Sequence, residues 1–400
     1  MTARAAGPRS VAGLALVAGA LAGFQVGKVI IALPVIRLEY SIDLGVAGLL
    51  VSSYTIVGAV VGLALGRAID RIGRGRALAL GLLFTALGSA LGAFAPDLPL
   101  LLATRLIEGL GYVGVVVAAP SLITSAGGDE FRRVALSLWG LYLPVGQLVM
   151  FLAGPLVLAL IGWRGLWAGN AVVLALFATV CLVALPRTTT PSGTAPSIRG
   201  VLRSPRVLAL AVVFGLYSLQ YLAVIGFLPT IYRASGVDDV AAGLLTAIVA
   251  SGSIAGNLAA TVTLHHTRAR AGTLIAASSV TMAVAAVVLY ALPASALAAD
   301  VAVATVFMAI GGVLASAVFA LVPLVAGGPA QIGPANGLLM QASNVGSLVG
   351  APVLGALASA TGTWAYSPVV LSTLALVAGG LALAIRRGET TGSGAGLQRA

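Results

Sequence analysis

Apolar runs of bilayer-spanning length, following one another with only short polar joints, constrain this chain more than any other feature. The first runs from Val11 to Leu33, the second from Leu44 to Leu65 and the third from Ala77 to Ala95. A helix needs about 20 apolar residues, at about 1.5 Å per residue, to cross the hydrocarbon core of a membrane. Twelve such runs can be placed, at residues 11–33, 44–65, 77–95, 98–120, 134–160, 165–185, 207–230, 241–264, 272–292, 299–323, 335–360 and 365–385. The expected fold class is an all-α polytopic membrane protein with twelve transmembrane helices. Composition agrees, since 60% of the 400 residues are hydrophobic and 8% are charged, against about 25% charge in soluble domains. The first run is too long for the apolar core of a signal peptide and is read as a retained helix.

Between the sixth and seventh runs lies Pro186-Arg-Thr-Thr-Thr-Pro-Ser-Gly-Thr-Ala-Pro-Ser197, a stretch of linker composition. It divides the chain into an N-terminal six-helix half (1–186), a cytoplasmic linker (187–206) and a C-terminal six-helix half with a short cytoplasmic tail (207–400). The net charge of +11 is carried in short loops on alternate sides of the runs. If the N-terminus is cytoplasmic, only Arg37, Arg164 and Arg233 among the loop arginines fall outside, and Glu39, Asp43, Asp97, Asp238, Asp239 and Asp300 fall there with them. That asymmetry is the positive-inside pattern rather than a nucleic-acid footprint, and it puts both termini in the cytoplasm; the expected location is a bacterial-type inner membrane. The single cysteine, Cys181, excludes an internal disulfide.

The joint after the second run reads Gly66-Arg-Ala-Ile-Asp70-Arg71-Ile-Gly73-Arg74-Gly-Arg76. Arginines alone would fix orientation, but an acid flanked by glycines is not needed for that. Gly66 and Gly73 allow tight turning, and Asp70 can accept from arginine or cap a helix. The pattern Gly-x-x-x-Asp-Arg-x-Gly-Arg-x-Arg resembles the signature loop of the major facilitator superfamily of secondary transporters. The resemblance implies two six-helix halves moving around a midplane site, with Gly66, Asp70, Arg71, Gly73, Arg74 and Arg76 as the conformational gate. The halves also repeat weakly. His265-His266-Thr-Arg268-Ala-Arg270 follows run eight as the signature follows run two, and Val145-Gly146 in run five is matched by Val345-Gly346 in run eleven. Upstream, Gly58-x-x-x-Gly62-x-x-x-Gly66 reads as a close-packing seam.

Charge stands well inside two of the runs. Lys28 is the only lysine in the chain, with Gln25 one helical turn before it. A charge at bilayer depth costs roughly 2.5–3.5 kcal/mol on insertion scales and is usually turned inward. It either faces a central cavity and meets an anionic group, or snorkels to the outer surface. In run four, Arg105-Leu-Ile-Glu108-Gly109-Leu-Gly111 pairs opposite charges at i and i+3. Arg-x-x-x-Gly-x-Gly resembles the fourth-span motif of many major facilitator proteins, which implies proton coupling for Arg105, and Glu108, the only carboxylate well inside a run, is the expected proton-carrying group. The competing reading is a static ion pair. Tyr217, Gln220 and Tyr221 in run seven, Asn257 in run eight, and Gln341 and Asn344 in run eleven either line the cavity or hydrogen-bond between helices. Expected substrate-binding residues are therefore Lys28, Gln25, Tyr217, Gln220, Tyr221, Gln341 and Asn344.

Run five carries Gly154-Pro155 but has Met150 where a drug-exporter motif would have glycine, so it matches that motif in part. Phe214-Gly215-Leu-Tyr217 through Pro229-Thr-Ile-Tyr232, and the Gly236-Val segment after it, resemble the cyanate-permease-like branch. That resemblance implies small anionic substrates. Members of that branch often carry Asn-Leu-Arg-Pro in span one, whereas Ala20 to Lys28 here contains no arginine. The expected function is proton-coupled transport of a small solute, preferably a small anion, by alternating access. A drug or metabolite exporter of the same fold is the nearest alternative, and a non-transporting sensor or membrane enzyme is the alternative from another class. No catalytic cluster, nucleotide loop or metal-ligand spacing is visible. The expected partners are the solute, H⁺ and the lipid bilayer, with no cofactor, no nucleic acid and no second subunit.

Overall fold

The computed structural model describes residues 7–185, 198–266, 271–293 and 295–394. Every regular element among the described residues is a helix. In the first part of the chain these are α1 (Pro8–Tyr40), α2 (Leu44–Ser52), α3 (Ile56–Ile72), α4 (Arg74–Ala93), α5 (Leu98–Ser125), α6 (Asp129–Trp139) and α7 (Tyr142–Ala184). The second part holds α8 (Ile198–Leu202), α9 (Pro205–Ile225), α10 (Leu228–Ala234), α11 (Asp239–His266), α12 (Ala271–Ala291), α13 (Leu297–Val325), α14 (Pro329–Thr361) and α15 (Ser367–Gly394). Polar side chains start several of them, with Asp43 accepting from Val46 N at 2.9 Å and Asp97 from Leu100 N at 2.9 Å.

Ten stretches among the described residues are long and apolar enough to cross a membrane, against the twelve expected. The difference has two local causes. The second expected run is interrupted by a 3₁₀ turn at Ser53–Thr55, which leaves α2 with nine residues. The fifth and sixth runs are merged in α7, a 43-residue helix interrupted at Gly162 (φ 69°, ψ 178°). The outer surface carries Phe94, Leu160 and Val183 at 82%, 83% and 70% exposure, which suits contact with lipid rather than water.

The signature stretch is mostly helix rather than loop. α3 continues to Ile72, only Gly73 stands outside, and α4 begins at Arg74. Gly73 has φ 93°, a region where a Cβ is strained, so glycine is needed at this turn. The Pro186–Ser197 linker stretch, Arg268 and Arg270 lie outside the described residues.

Within the first part, α1 packs on α7 and α5, and α4 on α5 and α7; within the second, α9 packs on α14, and α11 and α12 on α13. Glycine lets the backbones touch. A Cβ on Gly23 would lie 3.0 Å from Gly146 Cα, and one on Gly146 would run into the carbonyl of Ala20. In the second part a Cβ on Gly346 would meet the carbonyl of Gly215 in the same way. The Val145-Gly146 and Val345-Gly346 repeat therefore marks equivalent helix contacts. The two parts meet where α2 and α3 pack on α14 and where α7 packs on α11. Hydrogen bonds cross that seam from Leu44 N to Ser359 Oγ (3.0 Å), Ser52 Oγ to Leu348 O (3.1 Å) and Gln341 Nε2 to Ala59 O (2.7 Å).

Candidate functional site

The densest polar cluster lies inside the first part of the chain and draws on four helical segments. Gln25 and Lys28 come from α1, Ser89 from α4, Arg105 and Glu108 from α5, and Trp167 and Asn170 from the portion of α7 after Gly162. Gln25/Lys28, Arg105/Glu108 and Trp167/Asn170 are each i, i+3 pairs, so each presents both members on one helix face.

Glu108 is the hub. Lys28 Nζ donates to Glu108 Oε1 at 2.5 Å and to Ser89 Oγ at 2.6 Å, and stands 4.6 Å from the centre of the Trp167 ring. Arg105 Nη1 donates to Glu108 Oε2, and Arg105 Nη2 donates to the carbonyl of Gln25 at 3.1 Å. Ser89 is fixed in turn, donating to the carbonyl of Trp167 at 3.2 Å and accepting from Asn170 Nδ2 at 3.1 Å. Lys28, Arg105 and Glu108 are all 0% exposed. Burial of charges is costly unless they pair and their hydrogen bonds are made, and the carboxylate here serves both cations at once.

Small residues make room for this arrangement. A Cβ on Gly88 would sit 2.7 Å from Glu108 Cγ, and one on Gly109 would strike the carbonyl of Tyr54. Tyr54 lies in the 3₁₀ interruption between α2 and α3, with its ring 5.4 Å from Arg105 Cζ. From there a column of aromatics continues. Tyr54 meets Tyr112 edge to face at 5.0 Å, Tyr112 and Tyr142 share a hydroxyl–hydroxyl bond of 3.0 Å, and Tyr142 stacks on Trp139 at 4.4 Å.

Tyr221 of α9 joins this region from the second part by donating to Gln147 Oε1 of α7. Tyr217 lies beside it, ring centres 6.0 Å apart, with Gly311 of α13 against its edge.

The remaining expected residues lie elsewhere. Gln220 donates to its own helix at Leu216 O (3.1 Å), and Asn257 is tied into the α11–α13 contact by Ser316 Oγ at 2.7 Å. Gln341 and Asn344 sit in the α3–α14 seam, against Ala59 O and beside Gly58. In the signature stretch Arg71 and Arg76 are exposed, and Arg74 Nη1 donates to the carbonyl of Ser121 at 3.3 Å. The side chain of Asp70 is not among the described ones. Sequence reasoning missed Tyr54, Tyr112, Tyr142, Gln147, Ser89, Trp167 and Asn170. Gln147 and Asn170 carried a usable signal, being amides within apolar runs as Gln25 is.

The sequence model described as Major Facilitator Superfamily matches residues 15–328. The chain belongs to the major facilitator superfamily. The fold agrees with that membership. A solved structure of a bacterial homolog of the human lysosomal transporter Spinster, in an inward-facing and occupied conformation, superposes with a TM-score of 0.76. It is 16% identical and covers 95% of this chain and 97% of its own, so the likeness is one of fold. Among curated members of the superfamily, myo-inositol transporter 3A of Cryptococcus neoformans is 32% identical over 164 residues, 39% of this chain and 27% of the relative. The cyanate transport protein CynX of Escherichia coli (strain K12) is 27% identical over 237 residues, 56% of this chain and 59% of the relative. The chain thus spans less than two thirds of these relatives' lengths. It is a multi-pass membrane protein of a transporter superfamily.

Proposed function

We propose that the chain is a secondary active transporter that moves a small anion together with H⁺ by alternating access. The observation that carries the reading is the buried cluster in which Lys28 and Arg105 share Glu108. Two cations around one carboxylate give the interior an excess positive charge, which favours an anion. A proton on Glu108 removes the only negative charge among the three and loosens both cations, so protonation and helix packing are linked. Lys28 and Glu108 stand 80 positions apart in sequence, on α1 and α5, with Arg105 on α5 as well, and a change at Glu108 is felt in both helices.

In this reading α7 crosses the bilayer twice. Its 43 residues would extend about 65 Å as one helix, twice the hydrocarbon thickness, and Gly162 is the turn. The segments α2 and α3 together form one further span, which brings the total to twelve in two halves of six. The halves, 1–186 and 207–400, rock about the α2/α3–α14 and α7–α11 seams, with both termini cytoplasmic in the cell membrane and the chain acting as a monomer. Tyr217, Tyr221 and Gln147 lie where the halves meet and contact the solute. Gln220, Gln341 and Asn344 act from the C-terminal half, and the stretch Gly66–Arg76, with Asp70 at its centre, gates the cytoplasmic side. The cyanate relative supports the anion class, and the inositol relative makes a neutral polyol the control.

The test is flux in liposomes containing the purified chain, with an imposed pH gradient and an internal pH dye. Cyanate, nitrate and acetate would be compared with myo-inositol and one lipophilic cation. Anion-dependent proton entry is expected. Glu108→Gln should abolish accumulation driven by the gradient while leaving anion exchange between equal pools. Flux of the lipophilic cation alone would overturn the reading in favour of a drug exporter.

A further inference from the structure

Lys28 has its ammonium group occupied by Glu108, Ser89 and the face of Trp167. Arg105 does not. Its two terminal nitrogens are engaged, but its Nε is buried without a partner. Gln25 supplies the carbonyl that receives Arg105 Nη2, yet both atoms of its own carboxamide are also buried without partners, and the residue is 0% exposed. The carboxamide belongs to the residue whose carbonyl the guanidinium already touches. Unmade hydrogen bonds in a dry interior are unfavourable, and those on charged groups most of all. Vacant donors, Arg105 Nε–H and Gln25 Nε2–H among them and Trp167 Nε1–H on the Lys28 side, therefore adjoin a cluster that is one negative charge short of neutral.

We infer that a small monoanion of carboxylate or nitrate size is held by Arg105 Nε and the Gln25 carboxamide, and that its charge completes the neutrality of the Lys28–Glu108–Arg105 cluster. The inference rests on the anion reading given above and deepens it. Lys28 then sets the charge of the site through Glu108 and does not itself touch the anion. Tyr54, whose ring lies 5.4 Å from Arg105 Cζ, is the side wall. Among the described residues, the other side chains shown against these charges, Ser89 and Trp167 at Lys28 and Tyr54 at Arg105, are neutral.

Charge arithmetic gives the test. Binding of nitrate, cyanate and acetate to the purified full chain in detergent is measured by calorimetric titration, with gluconate as the background anion. Gln25→Leu is expected to weaken binding about tenfold, the usual effect of one lost hydrogen bond to a charged group. Lys28→Met removes the excess charge and should weaken binding by tenfold or more, whereas Glu108→Gln raises the excess to two and should tighten it. Gln25→Glu places a carboxylate where the anion sits, removes no existing contact and should abolish binding. It keeps the test readable if Lys28→Met does not fold. Equal binding by Gln25→Leu and wild type, or shifts of the same sign in Lys28→Met and Glu108→Gln, would overturn the inference. If wild type still carried anions in liposomes in that case, the transport reading would stand without this site. If the binding pattern appeared without flux, the site would stand and the transport reading would fall.

Discussion

Glu108 takes one hydrogen bond from Lys28 and one from Arg105, and among the described residues no other acid is buried to replace it. Breaking a buried ion pair by removing one partner costs about 3–5 kcal/mol, because the other charge is left uncompensated. Glu108→Ala leaves two such charges. Its unfolding midpoint in detergent should fall well below that of Lys28→Met, in which Glu108 keeps Arg105. Equal midpoints for the two variants would show that Glu108 is not the hub. The neighbouring glycine makes a finer probe. Gly88→Ala puts a methyl group 2.7 Å from Glu108 Cγ and 2.8 Å from Glu108 N. The backbone contact cannot yield, so this single methyl should lower the midpoint as measurably as a small core truncation. Lys28 and Glu108 could each be singled out in the sequence, one as the only lysine and the other as a carboxylate inside an apolar run. That they touch could not be read there. The contact depends on which face of α1 meets α5, and periodicity is nearly silent on this in helices that are apolar all round.

At the scale of the helix, small residues decide how closely elements approach. Gly19, Gly23 and Gly27 recur every fourth position on α1 and face Trp139, Gly146 and Met150 in turn. Lipid tails are as apolar as leucine, so helices in a membrane associate through close packing and not through escape from water. Gly146→Val should therefore separate α1 from α7, lower the yield of folded protein and broaden its size-exclusion peak. Gly169→Val, at a position with nothing within 4 Å, should leave both unchanged. A similar profile for the two variants would remove the packing argument. The repeated Val-Gly pairs at 145–146 and 345–346 were legible as sequence, and they mark two equivalent contacts in the fold. The ends of elements were less legible. The arginine-rich joint looked like a loop because glycine and charge dominate it, yet helical hydrogen bonding continues to Ile72 and only Gly73 breaks it. The 3₁₀ interruption at Ser53–Thr55 left no mark in composition, since Ser, Tyr and Thr all occur in membrane helices.

For the whole molecule, the question is whether the seam between α2 and α14 must open during transport. It is tightest where Gly48 lies against the backbone of Ala351, and Gly45 faces Ala356 close by. A Cβ built on Gly45 lies 3.2 Å from that of Ala356, just under the separation of about 3.5–4.5 Å that a disulfide spans. Gly45→Cys/Ala356→Cys should therefore cross-link under mild oxidation, and the native Cys181 is buried and out of the way. If the halves rock about this seam, the oxidised protein in liposomes loses flux almost completely, and reductant restores it. Each single cysteine variant, given the same oxidant, keeps its flux and serves as the control. Binding of the solute to the oxidised protein in detergent should persist, because the bond fastens a contact that the structure already makes. Loss of flux with retained binding identifies the seam as a moving part. Full flux in a chain shown by gel shift to be completely cross-linked would mean that this end never separates, and transport would then have to proceed by motion elsewhere in the fold.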